Sequence, residues 1–164
     1  MGLRFTSPLI NISINRDQFI ELCTDLKAYF SSELKVQRNN IGSCTGILGG
    51  GYTLKPIEIR FPHDDDPVVV IEKWKKRCER VNYNKLALIC DDKGLKPEDF
   101  EAYDNVSGYR KIMLTSQNHS YPWAFQMKEY IGQPYTGEYN AKSSDGLWKF
   151  TKMWDYVSFL NGEK

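Results

Sequence analysis

The feature that most constrains this chain is the alternation of strand-like and helix-like patterns along its length. Short apolar or alternating runs occur at residues 8–14, 56–61, 85–92 and 110–116. Such runs are typical of strands, and helical patterns stand between them. The alternation predicts an α/β fold with a layered, mostly parallel sheet flanked by helices, in a Rossmann-like arrangement.

The helical segments carry recognisable start signals. Asn15 begins a capping-box pattern ahead of the first amphipathic stretch. Asp66 and Pro67 form an N-cap and first-turn pair for a second helix that extends to about Val81. Pro97 lies in the first turn of a third helix, with acidic residues behind it.

Three further segments complete the predicted order. The run "WAFQMKEYI" at 123–131 fits a strand or a short helix, and we interpret it as a strand. The run "DGLWKFTKMWDYVSFLNG" at 145–162 predicts an amphipathic helix ended by its Asn-Gly pair. The glycine run in "GILGGGYTLKP" at 46–56 lacks the spacing of a phosphate-binding loop, so a flexible turn is expected there.

Length and charge narrow the functional classes. The 164 residues suit one α/β domain spanning 1–164, with no linker or repeat. The net charge of +1 produces no global field that would draw the protein to nucleic acid. No apolar run approaches the roughly 20 residues of a membrane span, and the start resembles no secretory signal. A cytoplasmic protein with no nucleic-acid partner and no membrane span is expected.

The cysteines and the aromatic residues allow broad statements only. The four cysteines are widely spaced and contain no CxxC pair, which favours reduced, inert thiols over a zinc site. Aromatic residues make up 13% of the chain, and many fall in its last third. They indicate either core packing or a platform on which sugars or bases stack.

Two polar loops follow predicted strands. The first contains His63, and the second contains Asp91, Asp92 and Lys93. If these strands are parallel neighbours, both loops lie at one sheet edge, where open α/β sheets bind ligands. Carboxylates gathered there would suit a divalent cation such as Mg²⁺. The alternative is structural, with the aspartates capping a helix and opening a turn before Gly94.

The helix between these loops carries a basic stripe. Lys73, Arg77 and Arg80 recur at spacings of four and three, beside its apolar face. Arginine binds phosphate and carboxylate groups bidentately, so the stripe indicates an anion site. The alternative is a solvated face paired with Glu72 and Glu79.

A second histidine lies in "TSQNHSYPW", after the strand that ends near Thr115. With Ser116 or Ser120 and an aspartate, His119 would form a hydrolase triad. No GxSxG elbow is present, which disfavours a serine hydrolase.

These segments together resemble a known bacterial family. "GLRFTSPLINISI", "IEIRFPH", "EKWKKRCERVNYNKLALICDDKG" and "WDYVSFLNG" occur in the order typical of domain of unknown function 1919, often labelled exopolysaccharide biosynthesis protein. The resemblance covers nearly the whole chain. It implies a cytoplasmic α/β protein that acts in capsule or exopolysaccharide synthesis beside glycosyltransferases, and it implies no particular reaction.

The chain departs from the family pattern in three places. Family members carry an additional strand and a Ser-Asn-Asn-Cys-like segment ahead of the first motif, and this chain is expected to lack that segment. The family loop Asp-Arg-Asp-Gly reads Asp91-Asp92-Lys93-Gly94 here. The family histidine after the next strand corresponds only to a displaced His119. These departures put catalysis in doubt and leave the polysaccharide context intact.

Three hypotheses follow. The first is a transferase-like protein that accepts a sugar, a sugar nucleotide or a phosphorylated glycan. Its catalytic residues would be His63, Asp91 and Asp92, with His63 as a general acid or base. Its ligand-binding residues would be Lys73, Arg77, Arg80 and Lys93. The second is a non-catalytic binding or assembly partner in a polysaccharide-synthesis complex, with an exposed aromatic patch. The third, metal-dependent phosphoester hydrolysis, requires the carboxylates of both loops around one cation.

Overall fold

The computed structural model describes residues 7–136 and 155–162. Helices α1 (Arg16–Thr24) and α2 (Leu26–Ser31) come first, followed by strands β1 (Leu34–Arg38), β2 (Cys44–Leu48) and β3 (Ile57–Phe61). Helix α3 (Pro67–Cys78), strand β4 (Ala87–Asp91), helix α4 (Pro97–Asn105) and strand β5 (Arg110–Thr115) alternate next. Strand β6 (Ala124–Gln126) and helix α5 (Tyr156–Asn161) complete the order, with short 3₁₀ helices at Tyr83–Lys85 and Lys128–Tyr130.

The described strands form two separate sheets. Strands β1, β2 and β3 form an antiparallel sheet in that order, and β4, β5 and β6 form a parallel one. The mixed α/β class is therefore confirmed. The described strands do not form a single, mostly parallel sheet, because β1 pairs with β2, and β2 with β3, in antiparallel ladders. Strand β3 is thus no hydrogen-bonded neighbour of β4.

The sequence analysis misplaced the first strands. Residues 8–11 form turns, and within 8–14 only Ser13 pairs, in an isolated bridge with Arg60. Leu9 and Ile12 pack against the core but belong to no ladder. A flexible turn was expected at the glycine run within 46–56; there β2 ends at Leu48, and a bend follows at residues 51–54.

Helix starts were predicted more accurately. Asp66 caps α3, and its Oδ1 accepts hydrogen bonds from the backbone N–H groups of Val68 and Val69. Asn15 occupies the N-cap of α1, but its side chain makes no cap bond and accepts one from Arg60. The single first helix is divided at Asp25, whose extended backbone ends α1 and whose carboxylate caps α2.

The run at 123–131 contains both predicted structures, since β6 is followed directly by a 3₁₀ helix. Gly162 ends α5 in the left-handed conformation, with φ of 79°, as the Asn-Gly pair predicts. The rest of the expected C-terminal helix lies outside the described residues. No helix in the two described ranges combines the length and the apolar character needed to cross a membrane.

The parallel sheet is buried on both faces, which explains why its strands are continuous apolar runs. Leu88, Cys90 and Met113 belong to the main core, which α1 and α4 also enter. Ile112 and Leu114 belong to a second cluster that α5 closes with Phe159. This packing leaves the carboxyl ends of β4, β5 and β6, with the loops that follow them, as the polar edge of the sheet.

Candidate functional site

Asp92 joins the three loops that follow the parallel strands. It stands directly after β4 and is 8% exposed. Its Oδ2 accepts hydrogen bonds from the N–H and the hydroxyl of Ser116, at 2.7 and 3.0 Å. Its Oδ1 accepts from the N–H and the hydroxyl of Thr136, at 2.6 and 2.9 Å. Four donors therefore occupy the carboxylate, and the edge of the sheet is held together through it.

Asp91 is also occupied. The guanidinium of Arg16 donates to both of its oxygens, each at 2.8 Å, in a bidentate ion pair. The backbone N–H of Lys93 adds a third hydrogen bond, at 3.1 Å. Asp91 is buried at the end of β4, and its ion pair with Arg16 links that strand to the start of α1.

Beside Asp92 lies a cleft of about 330 Å³, which we call the carboxyl-edge cleft. Its walls come from the β4–α4 loop, from α4, from the β5–β6 loop and from the segment after β6. The lining residues are Asp92, Leu95, Pro97, Phe100, Glu101, Gln117, His119, Tyr121 and Pro134. Each of the three segments that follow the parallel strands thus contributes to it.

Three of the lining residues, Phe100, His119 and Tyr121, belong to a set of nearly parallel rings that also includes Trp123, and we call these four rings the ring stack. The centroids of Phe100 and His119 are 4.5 Å apart with 22° between planes, and those of Tyr121 and Trp123 are 4.6 Å apart with 15°. Phe100 also lies 6.5 Å from Tyr121, at 17°. The three rings that come from the β5–β6 loop occupy the alternate positions 119, 121 and 123.

The inner end of the ring stack is fixed by hydrogen bonds. Trp123 is 6% exposed, and its indole N–H donates to Asp104 Oδ1 at 2.7 Å. Lys111 donates to the carbonyls of Tyr103, Asp104 and Val106, which satisfies the last turn of α4. Burial lowers the pKa of Lys111. The outer rings therefore rest on a rigid support.

The predicted site residues do not form one group. His63 is exposed in the loop after β3, in the antiparallel sheet. Asp91 and Asp92 follow β4 in the parallel sheet. The convergence of these loops was expected only for neighbouring parallel strands, and β3 and β4 are in different sheets. The catalytic roles assigned to these residues stay predictions.

The residues of the predicted basic stripe are engaged within the protein, and Arg80 lies beyond α3, which ends at Cys78 and not near Val81. Lys73 pairs with Asp64, the Arg77 guanidinium donates to the Ile10 carbonyl at 2.8 Å, and Arg80 donates to a carbonyl one turn back. The ammonium of Lys93 lies over the ring of Tyr135, at 5.4 Å. Anion binding by these four basic residues stays a prediction, and none of them lines the carboxyl-edge cleft.

The described residues provide neither a grouped set of metal ligands nor a reactive thiol. In residues 7–136 and 155–162, no three histidine, cysteine, aspartate or glutamate side chains group as a cation site would require. All four cysteines are free thiols. Burial raises the pKa of each, to about 12 for Cys78 and Cys90, with the charge of Asp91 adding to the effect at Cys90. Raised values disfavour the nucleophilic thiolate.

A larger cavity of about 670 Å³ lies between α2, β1 and α3. Its floor consists of core side chains such as Phe30 and Trp74, and its rim carries Glu33, Lys75 and Glu79. The carboxyl-edge cleft is the better candidate, although it is smaller, because it joins stacked rings to polar groups at the sheet edge where α/β folds bind ligands.

Sequence analysis missed most of this cleft. It considered His119 as part of a triad and as a displaced family histidine, counted Tyr121 among the aromatic residues of the last third, and gave no role to Phe100 or Gln117. One signal was available, the alternation His119, Tyr121, Trp123 in an otherwise polar loop. Nothing in the sequence indicated that Phe100, from a helix, would stack against it.

Comparison with known proteins gives one result. No curated protein matches this sequence. The model of one family, described as a domain of unknown function (DUF1919), matches residues 1–161. The match spans nearly the whole chain and agrees with the resemblance of the four sequence segments. This chain therefore belongs to the family of domain of unknown function 1919.

Proposed function

We propose that this protein binds a sugar unit of a bacterial exopolysaccharide, or of its precursor, in the carboxyl-edge cleft. The observation that carries the proposal is the ring stack, three of whose rings line the cleft together with the polar side chains of Glu101 and Gln117. An apolar platform with a few convergent polar groups is the common design of small-ligand sites.

The chemistry of these side chains suits a sugar. The face of a pyranose ring is lined by C–H groups, which pack well on the negative face of an aromatic ring. Its hydroxyls both donate and accept hydrogen bonds. The Glu101 carboxylate accepts, the Gln117 amide does both, and the His119 imidazole does both when it is neutral. The lining of the cleft therefore offers side chains for both kinds of contact.

The biological setting of the proposal is capsule or exopolysaccharide synthesis in the cytoplasm, beside glycosyltransferases and other assembly proteins. Its support is the family resemblance set out above, together with a cleft suited to sugars. Of the two forms of the hypothesis, we propose the binding form. The specific observation that favours it is the engagement of Asp91 by three internal donors and of Asp92 by four, which disfavours the use of either carboxylate in proton transfer.

The test is a titration of the full chain with simple methyl glycosides, in which binding is measured by NMR and by isothermal calorimetry. Binding should perturb the resonances of Gln117 and Tyr121, and Tyr121→Ala should weaken it about tenfold, since stacking contributes roughly 0.5–1.5 kcal/mol beyond area burial. Gln117→Ala is a second, exposed probe that should leave the fold intact.

Tyr52→Ala is the matched control, because Tyr52 is a fully exposed tyrosine outside the cleft. It should bind sugars like the wild type. Failure of every glycoside to bind, or equal weakening by Tyr52→Ala and Tyr121→Ala, would contradict the proposal. Turnover of a nucleotide sugar that is lost in Arg77→Ala would instead support the transferase-like form.

A further inference from the structure

The charge of the carboxyl-edge cleft is one-sided. Asp92 and Glu101 contribute carboxylates, and no lysine or arginine is among the described residues that line it. Of these described lining residues, His119 is the one whose side chain can carry a positive charge, and its ring is held by stacking on Phe100. An anionic ligand in this cleft would meet two negative groups, with no lysine or arginine opposite them among the lining residues that the structure describes.

The start of α4 does not reverse this charge. A helix N-terminus attracts anions through free N–H groups and the macrodipole. Here the first residue is Pro97, which has no N–H. The N–H of Lys96 already donates to the Asp99 carboxylate, at 2.8 Å. Glu98 and Asp99 add two acids to the first turn, so the end of the helix is already neutralised.

The neighbouring lysines point to the same conclusion. Lys93 and Lys96 are the basic residues of the β4–α4 loop, and both are exposed. The ammonium of Lys93 lies over Tyr135, and neither side chain lines the cleft. Their charges are screened by solvent, so they offset the two carboxylates only weakly.

The size of the cleft adds an independent constraint. About 330 Å³ is at the lower end of the range for small-molecule sites. A single sugar ring fits such a volume better than a nucleotide sugar, which adds a base, a ribose and two phosphates. The negative lining and the small volume both disfavour the nucleotide part of a donor.

We infer that the carboxyl-edge cleft selects a neutral or amino-bearing sugar ring and rejects uronates, sugar phosphates and nucleotide sugars. This inference rests on the proposed sugar-binding function and names its ligand class. Glu101 is the main discriminating residue, because its carboxylate is exposed on α4 while that of Asp92 is occupied by four donors. A protonated amine on the sugar would be attracted to the Glu101 carboxylate, whereas a carboxylate on the sugar would be repelled by it.

The experiment compares three glycosides of nearly the same size that carry different charges. Methyl glucoside is neutral, methyl 2-amino-2-deoxyglucoside is cationic and methyl glucuronoside is anionic. Each is titrated into the full chain at low ionic strength, with Kd measured by calorimetry and NMR, and UDP-glucose serves as a fourth probe. The glucuronoside and UDP-glucose should bind at least tenfold more weakly than the glucoside, and the amino sugar at least as tightly.

Glu101→Gln removes the discriminating charge with little change of shape. It should reduce the ratio of the glucuronoside and glucoside Kd values at least threefold. Glu98→Gln is the matched control, since Glu98 is exposed on the same helix and does not line the cleft. It should leave that ratio within twofold of the wild-type value.

The outcomes separate the inference from the function it rests on. Tight binding of the glucuronoside or UDP-glucose in the cleft would overturn the inference and leave a sugar site in place. An unchanged Kd ratio in Glu101→Gln would overturn it too. Failure of all four probes to bind would overturn the proposed function, and the inference with it.

Discussion

Replacing Asp92 with asparagine tests how the carboxyl edge of the parallel sheet is held together. The carboxylate accepts four hydrogen bonds, two from Ser116 and two from Thr136, and it is 8% exposed. Asparagine has nearly the same shape but carries one oxygen and one NH₂ group. The substitution therefore changes hydrogen bonding and charge, and leaves packing almost unaltered.

The expected loss of stability follows from the four donors. Whichever way the amide is oriented, its NH₂ faces one hydroxyl and one backbone N–H. The hydroxyl can rotate to accept a hydrogen bond, but the N–H cannot. A buried N–H left unpaired costs about 1–3 kcal/mol, and the remaining bonds lose their charge assistance. Asp92→Asn should therefore lower the free energy of unfolding by about 2–4 kcal/mol.

Urea unfolding measures this loss directly, and thermal unfolding gives a second reading. For a chain of this length, 1 kcal/mol shifts Tm by about 2–4 °C, so a fall of roughly 5–15 °C is expected. Asp65→Asn is the control, because the Asp65 side chain is 74% exposed and its contact with Arg38 is a long 3.8 Å. It should change stability by no more than about 0.5 kcal/mol. A loss of that small size in Asp92→Asn would refute the four-donor arrangement.

Three further predictions concern groups around the same sheet. Arg16→Lys replaces the bidentate pair with Asp91 by a single contact and should cost about 1–2 kcal/mol in urea unfolding; a neutral result would contradict the pairing. Tyr103→Phe removes a hydroxyl that donates to carbonyls of β4 and β5, at 3.3 and 3.2 Å, and should cost about 1 kcal/mol; an increase in the urea midpoint would count against it. Burial raises the pKa of Cys78 and Cys90 from 9.0 to about 12, so iodoacetamide should label neither in the folded protein at pH 8 and both in urea. The folded thiols hold their protons more tightly than the unfolded ones, so their contribution to the free energy of unfolding is fully present below pH 9.0 and is lost as the pH rises towards 12. Rapid labelling of the folded protein at pH 8 would disprove the assignment.

Local signals in the sequence were reliable where a single residue decides the backbone. Asp66 and Pro67 start α3, Pro97 starts α4 and Gly162 ends α5, as their side chains or their φ preferences require. Each of these residues acts on its own or the next turn of the chain. Such effects need no knowledge of the fold, so they can be predicted from sequence.

Apolar runs were less reliable, because burial alone does not specify a ladder. The segment 8–14 turns at residues 8–11, with Asn11 at a positive φ of 58°, and yet its side chains Leu9, Ile12 and Ile14 are partly buried. Strands β1 and β2 are shorter and more polar, yet they pair along their whole length. Pairing depends on which segment arrives alongside, and that partner is distant in the chain.

The α/β class, the family, a strand within residues 85–92 and the main helix starts could be predicted from the amino-acid sequence alone. The placement of β3 and β4 in different sheets, with His63 after one and Asp91 and Asp92 at the end of the other, became visible only in the folded chain. The tertiary structure also decided that Phe100 stacks on His119, across 19 positions of the chain, and that both aspartates are occupied. The physical reason is the range of the interactions. Capping and turn preferences act within a few residues, whereas stacking, ion pairing and sheet order depend on segments that meet only when the chain has folded.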